Sequence, residues 1–425
     1  MKSILTAAAI CCAQVAAAAP NVLLVIADDM GVDASPCHAE GASMVRMPVL
    51  ESLCNTGMVM ENTYAAPVCS PTRAMMLTGR YGSRTGVGGV VGKDNRVTLS
   101  DREISLFDGM NAAGYSTAVI GKWHLSADRK DLGHPARLGA GYHFGPISGG
   151  SKDYYSWAGA EQGKRIRREG YITSELTDKA ISWTAAQDSP WFLWLAYTAP
   201  HTPFHAPPQA LHTFGNLASS KEAIRRDPRK HYFAALEALD SEMGRLLASL
   251  DRKARANTVV MFIGDNGSPG QLGRAAGSRS HAKGSLYDGG TRVPLMMSGP
   301  GVARGRSEAL VNATDLYATV LALAGRASGA EDSVSFLPVL QGAASAGREY
   351  AYAEHFSKQA HRGNAATGWA IRDARYKLVQ KDGEPAELYD MAGSGGEARD
   401  LLAAGAEGAA GHAARLAAAR KALLN

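Results

Sequence analysis

Four apolar runs along the chain share one design. Each is a stretch of aliphatic, β-branched or aromatic residues that ends in polar or charged side chains. The runs are NVLLVIADD at 21–29, STAVIGKWHL at 116–125, WFLWLAYTAPH at 191–201 and TVVMFIGDNG at 258–267. Unbroken apolar strands are typical of sheets that are buried on both faces. The pattern therefore predicts a large, mostly parallel sheet covered by helices.

Amphipathic stretches lie between these runs and support an α/β fold. Each has helical spacing and precedes one of the apolar runs. They are residues 105–114, 172–187 and 231–250. Helices that alternate with buried strands are typical of a sheet sandwiched between helical layers. Near the C-terminus, the pattern changes to short strands with hairpin turns. These segments are 348–355, 368–383 and 386–391.

The polar side chains that end the four runs predict one shared site, because ligands bind beyond the carboxyl ends of parallel strands. They are Asp28, Asp29, Lys122, His124, His201, Asp265 and Asn266. The oxygen-bearing set of Asp28, Asp29, Asp265 and Asn266 suits a hard cation. Calcium fits it better than zinc, because no zinc-type ligand spacing accompanies it, and magnesium stays open. Considered separately, Asp28-Asp29 also suits a turn or a helix N-cap after a strand, and Asp265-Asn266 also suits a tight turn.

Residues 1–19 are typical of a secretory signal peptide. Lys2 precedes a short apolar stretch, and Ala-x-Ala spacing occurs at 16–19. A lipoprotein anchor at Cys11 is the alternative, but Ile10 before it is a poor cleavage residue. We therefore expect a periplasmic or secreted protein. No other apolar run is long enough to suggest a membrane span.

Charge and length add little to this interpretation. The formal net charge is +5, and the densest basic runs are KRIRRE at 164–169 and RRDPRK at 225–230. Solvated faces of helices or loops explain both runs best, steering of an anionic substrate comes second, and a nucleic-acid partner is not expected. The length suits either a large domain with a smaller one or an unusually large single α/β unit.

The cysteines raise a question about Cys69. Loss of the signal peptide leaves Cys37, Cys54 and Cys69. In an oxidising compartment, three cysteines form at most one intramolecular pair. Cys37 with Cys54 is one candidate pair, which would leave Cys69 over. Cys69 lies in PVCSPTRAMMLTGR at 67–80, at what the pattern predicts to be the start of a helix.

The residues described so far resemble the sulfatase family, in the order in which that family carries its motifs. CSPTRAMMLTGR is similar to the family's Cys-x-Pro-x-Arg motif, and PNVLLVIADDMG is similar to its first metal-binding strand. The other matching segments are GKWHL at 121–125, APHTPFHAP at 199–207, GDNG at 264–267 and KGSLYDGGTRVPLMMSGPG at 283–301. An ordered set is more specific than any single motif.

The resemblance implies an alkaline-phosphatase-like fold with two parts. These are a catalytic α/β domain over 20–345 and a small C-terminal subdomain over 346–425, in which an antiparallel sheet is closed by a helix. The Ala-rich segment 408–425 would be that helix, although low complexity also suits a frayed tail.

The resemblance also answers the question about Cys69. In the family, this cysteine is oxidised by a maturation enzyme to formylglycine, an aldehyde that hydrates to a diol. One hydroxyl attacks the sulfur of a sulfate ester and expels the alcohol, which leaves a covalent sulfate ester; the second hydroxyl then loses its proton, so that the aldehyde reforms and sulfate leaves. Pro71 suits a helix start, where an anion is favoured. A buried apolar thiol is the plainer alternative for Cys69.

The resemblance assigns roles residue by residue. The metal would be held by Asp28, Asp29, Asp265, Asn266 and the formylglycine oxygen at Cys69. Arg73 would hold the formylglycine oxygens and the metal carboxylates, while Lys122 and Lys283 would grip sulfate. His124 would take a proton from the diol, and His201, with Lys283, would protonate the departing oxygen. Outside this set, His205 stays unassigned and Arg292 is interpreted as structural.

Two features depart from the family pattern. Thr72 replaces the more usual serine, and the segment MGVDASPCHAEG at 30–41 lacks the usual aromatic and glycine pattern. The leading hypothesis is a calcium-dependent sulfatase of the arylsulfatase type, acting on a small-molecule or carbohydrate ester. A phosphomonoester or phosphonate hydrolase and a non-catalytic binding protein are the alternatives, since sulfate and phosphate are similar tetrahedra. An exposed strand end is the alternative for Lys122-Trp123-His124.

Overall fold

A computed structural model describes residues 19–41, 44–92, 97–272, 281–356, 367–392 and 396–425. Nearly all of the predicted signal peptide lies outside these residues, so export stays a prediction. Within the described ranges, no helix is long and apolar enough to cross a membrane.

In the part of the chain that the structure describes, the main sheet has 10 strands in the spatial order β10-β2-β9-β8-β1-β7-β3-β4-β5-β6. Its strands are β1 (Asn21–Ala27), β2 (Met58–Tyr64), β3 (Ser116–Gly121), β4 (Tyr142–Gly145), β5 (Ser156–Glu161), β6 (Lys164–Glu169), β7 (Trp191–Ala196), β8 (Thr258–Gly264), β9 (Leu295–Ser298) and β10 (Gly305–Asn312). Strands β5 and β9 run antiparallel to their neighbours, and the remaining pairs are parallel. The predicted α/β class with a large, mostly parallel sheet is confirmed.

The four apolar runs form the centre of the sheet, as β8, β1, β7 and β3 side by side. Their carboxyl ends are level, because Ala27 pairs with Gly264 and Gly121 pairs with Ala196. Successive side chains of β1 enter different cores: Leu23 and Val25 pack on one face of the sheet, whereas Leu24 and Ile26 pack on the other. A strand that is buried on both faces needs apolar residues at every position, which explains the unbroken runs.

Helices cover both faces of the main sheet. The helices of the described residues are α1 (Pro48–Thr56), α2 (Cys69–Thr78), α3 (Gly82–Thr85), α4 (Leu106–Ala112), α5 (His134–Arg137), α6 (Ile172–Ala185), α7 (Lys221–Arg226), α8 (Pro228–Ser249), α9 (Arg252–Ala256), α10 (Asp288–Thr291), α11 (Asp315–Leu323), α12 (Leu337–Leu340) and α13 (Ala409–Leu424). The predicted helices correspond to α4, α6 and α8. Helices α2, α4 and α11 pack on one face, and α6 and α8 pack on the other.

The C-terminal part forms a small antiparallel sheet with helix α13 packed against it. The strands are β11 (Ala351–His355), β12 (Gly368–Arg372), β13 (Tyr376–Lys381) and β14 (Glu387–Asp390). Tyr352, Ile371 and Leu416 join the same apolar cluster as the main domain. The expected sheet and helix are confirmed, while the boundary at residue 345 stays a prediction.

The basic run at 164–169 is exposed to solvent, as expected, but it is a strand, and the expectation of a helix or a loop was wrong. It is strand β6, the last strand at one edge of the main sheet. Gln162 and Gly163 form the turn from β5, with φ of 47° and 76°. Two positive φ angles give the twist that a tight hairpin needs. Charged side chains are common on edge strands, because they prevent further pairing, and here they obscured the strand pattern.

Cys37 and Cys54 form a disulfide, with their Cα atoms 6.2 Å apart. This confirms the candidate pair. Cys69 is the free cysteine in the described part of the chain, and it is buried. The remaining thiol therefore lies at the start of α2, next to the level ends of the central strands.

Candidate active site

Helix α2 places Cys69 at its first residue. All ten residues of the helix are buried, and Gly79 ends it in the left-handed conformation, with φ 67°. Thr72, the residue that departs from the family pattern, donates its hydroxyl to the carbonyl of Ala66 at 3.2 Å. A serine hydroxyl at that position could make the same hydrogen bond. The free amides in the first turn of a helix favour an anion, so this end of α2 suits one.

The acidic residues that follow β1 and β8 meet in front of Cys69. Ligand atoms of Asp28, Cys69 and Asp265 all lie within 4.8 Å of one another. The amide of Asp29 donates to Asp265 Oδ1 at 3.0 Å, and Asn266 Nδ2 donates to Asp29 Oδ1 at 2.9 Å. Asp29 has φ 74°, an uncommon backbone conformation for a residue other than glycine. This turn brings the carboxylates of two strands together.

Two oxygen atoms of this cluster fit a cation. Asp28 Oδ1 and Asn266 Oδ1 are buried and have no hydrogen-bond partner among the described residues. Leaving a buried acceptor without a partner costs about 1–3 kcal/mol, and more for a charged group. The donor set consists of carboxylate and amide oxygens, the ligands that calcium and magnesium prefer. The residues present therefore suit a hard divalent cation.

Three basic side chains balance the carboxylates. Lys122 Nζ lies 2.6 Å from Asp28 Oδ2, and Arg73 Nη2 lies 2.8 Å from Asp265 Oδ2. Lys283 donates to Asp29 Oδ1. Arg73 Nη1 also donates to the Lys122 carbonyl at 2.7 Å, which ties α2 to the end of β3. The side chains of Arg73 and Lys122 are wholly buried, which excludes an exposed strand end at Lys122.

The charges in this cluster act on one another. Burial by itself would raise the pKa of Asp28, but the Lys122 ammonium, with other nearby cations, holds that pKa well below its usual range. Burial and the adjacent Asp28 raise the pKa of Asp265 in spite of Arg73. Burial would lower the pKa of Lys283, yet the Asp29 carboxylate raises it. The cluster thus holds several charges of both signs in a confined volume.

His124 lies against Cys69. Its Nδ1 is 3.3 Å from Cys69 Sγ, and its Nε2 is 3.1 Å from the Val91 carbonyl. Because a carbonyl only accepts, Nε2 carries the proton, and Nδ1 of the neutral ring is free to accept one from position 69. Burial and the Lys122 and Arg73 charges lower the pKa of His124 well below its usual value. Burial raises the pKa of the Cys69 thiol.

His201 lies beside Asp29. Its Nε2 lies 3.8 Å from Asp29 Oδ2, and its Nδ1 lies 2.6 Å from the Thr202 carbonyl. Nδ1 therefore donates, and Nε2 faces the site. The hydroxyl of Tyr154 lies 2.6 Å from the His201 carbonyl and 2.7 Å from the Thr198 carbonyl. Tyr154 thereby fixes the segment that carries His201.

A cavity of about 400 Å³ opens above these groups. Its wall includes Cys69, His124, His201 and Lys283. The loop at 148–150 forms another part of the wall, and a Cβ atom on Gly149 would lie 2.2 Å from His124 Nε2. A glycine is therefore required where this loop crosses the histidine ring.

All of the residues predicted for the site come together in this region. The sequence did not indicate the contributions of the Val91 carbonyl, Gly149 and Tyr154, which act through backbone atoms or shape. His205 lies outside the cavity wall: its ring stacks on Tyr154, with 3.6 Å between ring centroids, and hydrogen-bonds Tyr171. Arg292 pairs with Glu40 at 2.7 Å and takes no part in the cavity wall.

Family comparison agrees with this geometry. Residues 20–326 match the family model described as Sulfatase. The chain belongs to the sulfatase family. Residues 279–410 of this sulfatase chain also match the model described as N-sulphoglucosamine sulphohydrolase, C-terminal. The expected family is therefore confirmed.

Curated relatives are about 30% identical to this sulfatase chain over the residues that align. Mouse arylsulfatase J is 28% identical over 72% of this chain and 52% of its own length. The arylsulfatase of Klebsiella aerogenes is 29% identical over 59% of this chain and 66% of its own length. Pig N-acetylgalactosamine-6-sulfatase is 31% identical over 76% of this chain and 66% of its own length. The alignments thus span less than two thirds of these relatives.

Solved structures share the fold over nearly the whole sulfatase chain. Ps i-CgsB in complex with k-i-k-neocarrahexaose is 25% identical, with a TM-score of 0.77 over 91% of this chain and 89% of that one. BT4656 in complex with its substrate D-glucosamine-2-N,6-O-disulfate is 22% identical, with a TM-score of 0.72 over 95% of this chain and 96% of that one. At 22% identity, the similarity to BT4656 shows a shared fold alone.

Proposed function

We propose that this sulfatase-family chain hydrolyses sulfate esters to an alcohol or phenol and inorganic sulfate. The observation that carries the proposal is the single cavity at the start of α2. Cys69, His124, His201 and Lys283 line it, and the carboxylate cluster lies against Cys69. This arrangement combines a nucleophile position, proton-transfer groups and cations for a tetrahedral anion.

We propose that Cys69 is converted to formylglycine by a maturation enzyme, and that the hydrated aldehyde is the nucleophile. The Cys-x-Pro-x-Arg spacing supports this step, as does the separation of Cys69 from the Cys37–Cys54 disulfide. Conversion would replace a buried thiol by two hydroxyls. Both would lie at the N-terminal end of α2, where the first-turn amides favour an anion.

We also propose that Asp28, Asp29, Asp265 and Asn266 hold a calcium ion, with magnesium as the other hard cation that suits them. Support comes from the two buried oxygens that lack a partner among the described residues, Asp28 Oδ1 and Asn266 Oδ1. When bound, such an ion supplies positive charge that neutralises sulfate and acidifies a nearby hydroxyl. Arg73 would keep Asp265 in place through its hydrogen bonds of 2.8 and 3.1 Å.

Sulfate binding and proton transfer would fall to the basic side chains and the histidines. Lys122 and Lys283 would hold sulfate oxygens and offset the charge that develops during transfer. His124 would accept a proton at Nδ1 from the group at position 69, because Nε2 already donates to Val91. His201 would donate a proton from Nε2 to the departing oxygen, since Nδ1 donates to Thr202. Proton transfer at two separate histidines suits a reaction that makes and breaks an ester.

The substrate that we propose is a sulfated carbohydrate. The name of the pig relative, N-acetylgalactosamine-6-sulfatase, contains a sugar, and Ps i-CgsB was solved in complex with k-i-k-neocarrahexaose. Aryl sulfates would serve as reporter substrates, because a phenol is a better leaving group than a sugar hydroxyl.

We propose export with removal of residues 1–19. The Cys37–Cys54 disulfide supports this assignment, because such bonds persist in oxidising compartments. N-terminal sequencing of the secreted or periplasmic protein checks it, and a mature chain beginning at Pro20 is expected. An N-terminus that still contains Lys2 would contradict it.

Paired aryl esters test the proposed reaction. The protein, produced with a formylglycine-generating enzyme and loaded with calcium, is assayed with 4-nitrophenyl sulfate and 4-nitrophenyl phosphate. We expect a higher kcat/KM for the sulfate, and loss of turnover in Cys69→Ala. Preference for the phosphate would indicate a phosphomonoester hydrolase instead. No turnover of either ester by a verified formylglycine-bearing sample would favour a binding protein.

A further inference from the structure

A second cleft, of about 480 Å³, lies beside the active-site cavity. The two share part of their walls, at Arg129, Ser148, Gly150 and Lys152. A molecule whose reacting end occupies the first cavity can therefore extend into the second without leaving the protein surface. The far wall of the second cleft is the β5–β6 hairpin.

The second cleft is lined by basic side chains. Its four cationic members are Arg129, Lys152, Arg165 and Arg167, all exposed to solvent. Arg129, Lys152 and Arg165 form no ion pair with any residue that the structure describes. Arg167 lies 3.5 Å from Glu169 and 3.3 Å from Ser156 Oγ. Asp153 is the acidic residue among the described lining groups, and its Oδ1 accepts from the amides of Tyr155 and Ser156.

The pleat of β6 aims its basic residues in two directions. Arg165 and Arg167 lie on one face and line the cleft, whereas Lys164 and Arg168 lie on the other. Across the hairpin, Ala160 and Ala158 are the partners of Arg165 and Arg167. Small neighbours leave the two guanidiniums room to reach an anion in the cleft. Guanidiniums bind carboxylate or sulfate oxygens in a fork geometry.

We propose that this cleft is a second anion-binding site, which receives another sulfate or carboxylate group of the same substrate. The substrate is then a polyanionic saccharide that carries at least one charged group besides the ester that is cleaved. This inference rests on the proposed function. It also gives the basic run at 164–169 a role that the chain's modest net charge does not suggest.

Binding and competition measurements test the proposal. The double variant Arg165→Ala/Arg167→Ala removes the two arginines that line only the second cleft. Lys164→Ala is the matched control, because this exposed lysine lies on the opposite face of β6. The probe is a size-defined heparin hexasaccharide, measured by calorimetry on the full chain and as an inhibitor of 4-nitrophenyl sulfate hydrolysis.

The double variant should bind the hexasaccharide about threefold to tenfold more weakly, as expected for loss of two exposed ion pairs. Its inhibition constant should rise by the same factor, and the difference should shrink at high salt. Lys164→Ala should match the wild type in binding, and both variants should retain its KM for 4-nitrophenyl sulfate.

Equal binding by the wild type and the double variant, with sulfate turnover intact, would overturn the second site alone. Absence of turnover, with binding still weakened in the double variant, would overturn the proposed reaction and leave the anion site standing. Equal affinity for a single-stranded DNA dodecamer of similar charge would overturn the assignment to a saccharide.

Discussion

The ammonium of Lys122 lies 2.6 Å from Asp28 Oδ2, and neither side chain is exposed to solvent. The pair joins the end of β3 to the end of β1, across β7. Two opposite charges at this depth stabilise the site only while both are present. Removing one leaves the other buried without compensation, which typically costs about 3–5 kcal/mol.

Replacement of Lys122 by methionine should therefore lower the free energy of unfolding by about 3–5 kcal/mol in metal-free buffer. Urea unfolding followed by circular dichroism measures the change. Lys179→Met is the matched control, because Lys179 pairs with Glu161 at 2.9 Å on a partly exposed surface. The control should lose about 1 kcal/mol or less. Equal losses in the two variants would show that the buried Lys122–Asp28 pair contributes no more to the free energy of unfolding than a partly exposed pair.

Gly149→Ala should disturb catalysis more than stability. The added Cβ would lie 2.2 Å from His124 Nε2, where the ring donates to Val91, so the ring must leave its present position beside Cys69. A displacement of this kind can lower kcat by about 100-fold. Gly150→Ala is the control, because its Cβ would lie 3.5 Å from the His201 ring, an ordinary contact.

Steady-state kinetics and thermal melting of both glycine variants check this expectation. A Gly149→Ala enzyme with wild-type kcat would mean that the His124 ring position is not required.

The sequence predicted the centre of the site well, for a physical reason. Asp28, Lys122, His201 and Asp265 follow strands that are parallel neighbours, so their positions come from strand ends that a buried apolar run reveals. Cys69 is placed by a helix start that its flanking prolines indicate. These signals are local in the sequence, and the parallel sheet places the residues that carry them close together.

The surroundings of the site could not be predicted in the same way. Val91 contributes a carbonyl, Gly149 contributes the absence of a side chain, and Tyr154 contributes a bond to a distant backbone. None of these contributions comes from a residue type that by itself indicates a catalytic or metal-binding role. The edge strand at 164–169 was missed because its charged residues hide the alternation between faces.

Tyr154→Phe should impair substrates with poor leaving groups. The lost hydroxyl leaves the carbonyls of Thr198 and His201 without their shared donor, and the His201 segment becomes less well fixed. Because the proposed role of His201 is to protonate the departing oxygen, kcat should fall about tenfold or more for an alkyl or sugar sulfate. For 4-nitrophenyl sulfate, kcat should change little, because the phenolate leaves readily without being protonated.

Tyr155→Phe is the control for this substitution, since its hydroxyl donates to the Ala206 carbonyl, 2.8 Å away, on the surface. A Tyr154→Phe effect of equal size on both substrate types would contradict a role through His201.

His143 should make the protein less stable in mild acid. Both of its ring nitrogens are buried on β4 without a hydrogen-bond partner among the described residues. Burial lowers the pKa of His143 from 6.5 to about 4. Below the unfolded value, the unfolded chain binds a proton that the folded chain excludes, so stability falls as pH falls through this range.

His143→Leu should remove this dependence. Relative to the wild type, the variant should gain about 2 kcal/mol of stability on going from about pH 8 to about pH 5. Urea unfolding at the two pH values measures the difference. Parallel pH dependence in both proteins would contradict burial of a neutral His143.

The central claim concerns the chemical state of residue 69, and peptide mass spectrometry tests it most directly. Protein produced with a formylglycine-generating enzyme is reduced, alkylated and digested with trypsin, and the peptide from Met47 to Arg73 is examined. It contains Cys54 as well as Cys69, so alkylation of Cys54 serves as the internal control. We predict one alkylated cysteine and, at residue 69, the lower mass of an aldehyde. Complete alkylation of both cysteines would contradict the proposed nucleophile.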